Sequence, residues 1–215
     1  MTSAFPYLTT VDTAAASKDL TVKATVFAEL GVTPTSAQNN LMDTIIHQVS
    51  AAIVGYLNRE VASEKVLSKF RTHGHGYVDT LWLPRVPVTT VHTVVEDGVT
   101  LDADDYELNA DTGELWRLDA SAERTCWASC ALITVLHTGG YVTLTSLPHD
   151  IERAALDQCK AQWGAAKRDP AVRSINIPDV VATQFSAGGG ASFGSSGLLA
   201  SVEGLLNPYR RPVVA

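Results

Sequence analysis

Residues 41–71 read LMDTIIHQVSAAIVGYLNREVASEKVLSKFR, and a change of period inside them decides the fold. Leu41, Ile45, Ile46, Val49, Ile53, Tyr56 and Leu57 recur every three or four residues, the spacing of one helix face. Asp43, His47, Gln48 and Asn58 fall on the other faces. Near Glu60 the period drops to two, and Val66 to Arg71 alternates as a half-buried strand requires. An amphipathic helix running straight into a strand predicts an α+β fold.

Working upstream, Ser17 is an N-cap candidate for a helix through Val22, Val26, Phe27 and Leu30, stopped by Gly31. Thr33-Pro34 reads as the cap and first residue of the long helix. Downstream, β-branched and aromatic residues alternate over Tyr77 to Leu83 and Val86 to Glu96. Asp97-Gly98 is a strong hairpin signal, because both residues tolerate positive φ. More strands are expected at Asp105 to Leu108, at Glu114 to Leu118 after the turn Asp111-Thr112-Gly113, and at Ala131 to His137, ended by Gly139-Gly140. Leu147-Pro148-His149-Asp150 opens a further helix, with Ile151, Ala154, Ala155, Cys159, Gln162 and Trp163 along one side. Helices are therefore expected near 18–30, 34–59 and 148–168, around an inserted antiparallel β module. The stretch SAGGGASFGSSG, residues 186–197, has a linker's composition. An apolar segment, Leu198 to Leu206, and an extended end at Asn207-Pro208-Tyr209-Arg210-Arg211-Pro212 follow it.

The 215 residues suffice for one good-sized domain, or one carrying a sizeable insertion. With 46% hydrophobic and 18% charged residues, the chain can bury a core. A net charge of -7 argues against tight clamping of nucleic acid, which needs a basic surface. A wall that repels phosphate still lets DNA slide past. Three cysteines, Cys126, Cys130 and Cys159, do not make a disulfide framework and point to a reducing compartment. Met1 to Pro6 lacks a secretory leader's features, and no apolar run approaches the roughly 20 residues of a spanning helix, so a soluble chain with no membrane partner is expected.

Candidate chemistry is sparse. His73 and His75 share a strand face, and with His92 or His137 they suggest a zinc site, but Gly74 and Gly76 suggest a turn. Cys126 and Cys130 have neither zinc nor redox spacing and read as free buried thiols. Ten acidic residues crowd Glu96 to Glu123, yet Tyr106 stands where a calcium loop needs Asp or Asn. Their plain reading is a solvated β surface. Gly188-Gly189-Gly190 lacks the strand and helix that would make it a phosphate cradle, and no nucleophile elbow appears. No cofactor is expected.

The order of parts carries more. A helix pair precedes Leu81-Trp82-Leu83-Pro84, Val86-Pro87-Val88 and the Glu96-Asp97-Gly98 hairpin. Asp105-Tyr106, Gly113-Glu114-Leu115, Gly139-Gly140-Tyr141, and Leu147-Pro148 with Ala154 and Ala155 come next. Over roughly residues 20–211 this order resembles the head–tail connector (adaptor, or head-completion) family of tailed bacteriophages. Asn207-Pro208-Tyr209-Arg210-Arg211 is similar to the closing tails of small phage neck proteins.

The resemblance implies a non-enzymatic subunit of the virion neck, assembled in the bacterial host cytoplasm. Such subunits form a homo-oligomeric ring, usually of about twelve copies, beneath the portal protein. The ring extends the DNA channel and offers a platform to the next neck or tail-completion protein. On this reading residues 1–62 and 148–185 make the helical ring-forming domain, 63–147 the β module, and 186–215 a linker and portal-docking tail. Docking falls to Leu198, Leu199, Val202, Leu205, Leu206, Tyr209, Arg210 and Arg211. Asp102, Asp104, Asp105 and Glu107 are expected to face the channel, where viral DNA passes without sequence-specific binding. Two alternatives stand beside it. One is another neck component, a head-closure or tail-completion protein, which the helices at 34–59 and 148–168 oppose. The other is a metal-dependent enzyme built on His73 and His75.

Overall fold

A computed structural model describes residues 3–72, 77–142, 146–167, 174–177, 181–184 and 196–211. For 167, 174–177 and 181–184 it describes the backbone alone. In chain order the elements are β1 (Ser3–Ala4), β2 (Leu8–Thr13), α1 (Lys23–Leu30), α2 (Ser36–Leu57), β3 (Glu64–Arg71), β4 (Thr80–Trp82), β5 (Val88–Glu96) and β6 (Val99–Thr100). There follow β7 (Tyr106–Asn109), β8 (Glu114–Leu118), β9 (Arg124–Thr125), β10 (Leu132–Gly139), α3 (His149–Lys167), β11 (Ser174–Ile177), β12 (Val181–Gln184) and α4 (Ala200–Leu206). The fold is α+β, as expected. They divide into a β unit, Met1–Ser17 with Glu60–Val142, and a helical unit, Lys18–Arg59 with Thr143–Ala215.

The β unit holds two five-stranded sheets, β1-β4-β8-β7 with β9 beside β8, and β2-β3-β10-β5-β6. Alternation in β3 buries Glu64, Val66, Ser68 and Phe70, and alternation in β10 buries Ile133, Val135 and His137. These inner faces meet Ala4, Leu81, Leu115 and Trp127 in one apolar core, so the sheets pack face to face. Each sheet has two edge strands, β1 and β7 in one and β2 and β6 in the other. Short links join β1 to β2 and β6 to β7, which gives the unit two flanks. The Asp97-Gly98 expectation holds: φ is 47° and 84°, and Glu96 pairs with Val99 across a two-residue turn. Residues 3–13, grouped with the helices in the sequence reading, supply both strands of the first flank. β1 runs parallel to β4, so the module is not wholly antiparallel. Tyr77 to Leu83 shortens to β4 with an isolated bridge from Val78 to Trp127.

In the helical unit, α2 begins at a different cap from the one expected. Thr35, not Thr33, is the N-cap, and its side chain and Gln38 exchange bonds with each other's backbone N–H in a capping box. Asn58, at φ 52°, ends the helix in the left-handed conformation. Ser17 is not the N-cap of α1, which starts six residues later, after Val22. Leu20 intervenes, fully buried, with its N–H donating to Ser50 Oγ at 3.0 Å. Met42, Ile45, Ile46, Val49, Ile53 and Leu57 form the buried stripe of α2, while Leu41 is 41% exposed. Ile151, Ala154, Ala155, Cys159 and Trp163 line the buried side of α3, and Phe27 meets Trp163 edge-on at 5.4 Å. No described helix is long and apolar enough to cross a membrane.

Candidate functional site: assembly surfaces

The acidic stretch is a set of turn staples as much as a charged surface. Asp102 and Asp105 close a capping box on the short turn between β6 and β7, with the Asp102 N–H donating to Asp105 Oδ2 at 3.0 Å. Asp97 Oδ1 accepts from the Leu132 N–H at 2.8 Å, and Asp119 Oδ1 accepts from Ser121 and Glu123. Arg117 pairs with Glu96 at 3.2 Å and reaches Asp105 at 3.5 Å. Arg124 lies over the Trp116 ring at 3.7 Å and binds Glu107 at 2.7 Å. That bond holds the Glu107 carboxyl below its ordinary range and raises the guanidinium. Of the four carboxylates expected at a channel, Asp105 and Glu107 each meet an arginine, Asp102 holds a turn, and Asp104 is simply exposed.

The opposite flank was not foreseen. Lys65, Lys69 and Arg71 alternate with the buried residues of β3, so they share its outer face beside the β2 edge. Lys65 pairs with Asp12 at 3.2 Å, and Arg71 lies 5.3 Å from the Tyr7 ring centroid. Phe5, Tyr7, Leu8 and Val11 are 51%, 52%, 43% and 48% exposed along the same edge. The K-x-x-x-K-x-R spacing within residues 65–71 was the available signal.

The C-terminal segment departs from its expectation. Leu198, Val202 and Leu206 are fully buried in their own unit, where α4 packs on α3. These three apolar side chains are therefore buried rather than part of an exposed stripe. Gln158 fixes the start of this segment, its Oε1 accepting from the Leu199 N–H at 3.0 Å. The end folds back: Tyr209 donates to Asp150 at 3.1 Å, Arg210 lies 5.1 Å from the Tyr56 ring, and the Arg211 N–H donates to Leu57 O at 3.0 Å. Leu199, Leu205 and Tyr209 keep part of their surface, and Arg210 is exposed.

His73, His75 and the glycines at 188–190 lie outside the described residues. Among the described residues no three His, Cys, Asp or Glu side chains gather as a metal requires. His137 is fully buried, and desolvation pushes its pKa down to about 4. His92 Nε2 bonds Thr138 Oγ1 at 2.9 Å. Of the cysteines read as buried, Cys130 is exposed in a left-handed turn at φ 60° and Cys126 is half-buried, donating to Asp79 at 3.0 Å. Cys159 is buried, and burial pushes its pKa to about 12, leaving an inert thiol.

No family profile and no curated protein matches the chain. Solved structures do. A chain from the neck of an empty gene transfer agent (GTA) particle computed with C6 symmetry is 20% identical, with a TM-score of 0.58 over 97% of both chains. Chains from the virion of the native GTA particle, and from its neck computed with C12 symmetry, are 18% and 17% identical, with TM-scores of 0.55 and 0.54, again over 97% of each chain. The likeness establishes a shared fold across nearly the whole chain.

Proposed function

We propose that the chain is a structural, non-catalytic subunit of the neck of a tailed-phage-like particle. It forms a ring below the portal, extends the DNA channel and joins capsid to tail. The observation that carries this reading is the end-to-end fold match, 97% of both chains, to proteins solved in GTA necks. A match confined to one unit would fit a shared building block; one spanning both units fits a shared role. The order of sequence parts resembling head–tail connectors agrees with it independently. The helical unit is the ring base, and Leu199, Leu205, Tyr209, Arg210 and Arg211 are the surface left for the portal. The net charge of -7 suits a conduit that DNA must leave without sticking.

Electron microscopy of the purified full chain, alone and with its portal, tests the reading. Closed rings with a central opening, docked on the portal, are the expected result. A chain that stays monomeric on the portal and stains no ring would end it.

A further inference from the structure

We propose that neighbouring copies in the ring meet through their β units, the β1–β2 flank of one against the β6–β7 flank of the next. The inference rests on the neck-ring reading and names a contact that the ring uses in addition to its helical base. A cyclic ring needs two different, mutually complementary patches on each copy, placed on opposite sides. The β unit has such a pair. On the first flank, Lys65, Lys69 and Arg71 face outward, with Lys65 paired to Asp12. Phe5, Tyr7 and Leu8, about half exposed, stand beside them. Aromatic residues with arginine are the composition of interface cores.

On the second flank, Asp102 and Asp104 are exposed around a turn with Glu107, which holds Arg124, and they stand next to Val99 at 65% exposure. Strand order places β2 and β6 at opposite edges of one sheet, and β1 and β7 at opposite edges of the other. The short links from Ala4 to Leu8 and from Thr100 to Tyr106 keep β1 near β2 and β6 near β7. The charges are opposite in sign, so a second copy is the occupant that fits both at once. Two like copies turned by a ring's rotation bring Lys69 and Arg71 toward the neighbour's Asp104 and Glu107. Both flanks are also strand edges, and β2, paired with β3 on one side, turns its alternate backbone groups to the other. The contact gives Asp104 a cationic partner across the interface and adds one to Glu107 beside its own Arg124.

The test uses two charge-reversed full-length variants, Lys69→Glu/Arg71→Glu and Asp104→Lys/Glu107→Lys. All four residues are at the surface, and circular dichroism confirms that each variant folds. Each variant alone should need roughly tenfold or more protein to assemble, because like charges now face each other. Mixed in equal amounts they should assemble again, alternating around the ring, since each retains one native flank and the reversed flanks match. Sedimentation and negative-stain images read both results. Carbodiimide cross-linking of the wild-type chain should join Lys69 of one copy to Asp104 or Glu107 of another. Rings from either variant at wild-type concentration, or a mixture that fails where the wild type succeeds, would overturn the flank assignment and leave the ring reading standing. A wild-type chain that neither assembles nor cross-links would overturn both.

Discussion

The two units use glycine in opposite ways. In the helical unit Gly55 and Gly164 sit in helices, and a Cβ added at either meets nothing within 4 Å. In the β unit a Cβ at Gly139 would strike the Arg85 carbonyl oxygen, and one at Gly140, at φ 103°, would lie 2.5 Å from Ala62 O. Among the described residues, buried charge divides the same way, although buried polar groups occur in both units. Glu64, 2% exposed, holds Arg85 at 3.0 Å, and Ser68 and His137 are fully buried in the same sheet. The interior of the helical unit is mostly apolar, and its buried polar residues, Thr21, Ser50 and Gln158, are uncharged. The β unit is thus specified by close backbone approach and paired charge. The helical unit is specified by an apolar stripe, which tolerates more.

Mutations sharpen that contrast. Gly139→Ala should be the most damaging, costing at least about 4 kcal/mol, because backbone must move to admit one methyl group. Urea unfolding monitored by circular dichroism measures it; a loss below about 1 kcal/mol would dissolve the contrast. Arg85→Ala should cost about 3 kcal/mol by the same assay, since it leaves the Glu64 carboxylate buried without its guanidinium.

A pH effect comes next. Burial lowers the His137 pKa from 6.5 to about 4, so the folded state resists a proton that the unfolded chain accepts. The contribution is whole above pH 6.5, is lost as pH falls toward 4, and does not change further below that. Between pH 7 and pH 5 the loss is about 2 kcal/mol, and His137→Leu should remove it. An unchanged pH slope in that variant would reassign the effect. Smallest, and opposite in sign, Gly164→Ala should stabilise the protein by about 0.5–1 kcal/mol, read as a higher melting temperature. Destabilisation there would show that the helical unit is as tightly fitted as the β unit.

The same physics explains what the sequence disclosed. Long periodic stretches were legible, because burial of one face must repeat along the chain. Both α2 and α3 stand within two residues of expectation, and so do β8 and the Asp97-Gly98 turn. The N-terminal strands escaped, since β1 has two residues and β2 is exposed along most of its length, leaving no alternation to read. Thr35 was hidden by Thr33-Pro34, a more familiar start, although Gln38 three residues on marked the capping box. The candidate site was harder. An apolar stripe at Leu198 to Leu206 looks the same whether its partner is another protein or its own α3, and only the fold tells them apart. Of the carboxylates read as a channel wall, Asp102 holds a turn and Asp105 and Glu107 meet arginines, partners that periodicity cannot reveal.

The central claim is the place of this chain in a particle. Gold-labelled antibody against the chain, applied to intact particles assembled with it and imaged by electron microscopy, tests that most directly. The account predicts label at the junction of head and tail, and at no other place. Label spread over the capsid or along the tail, or particles complete without the chain, would contradict it.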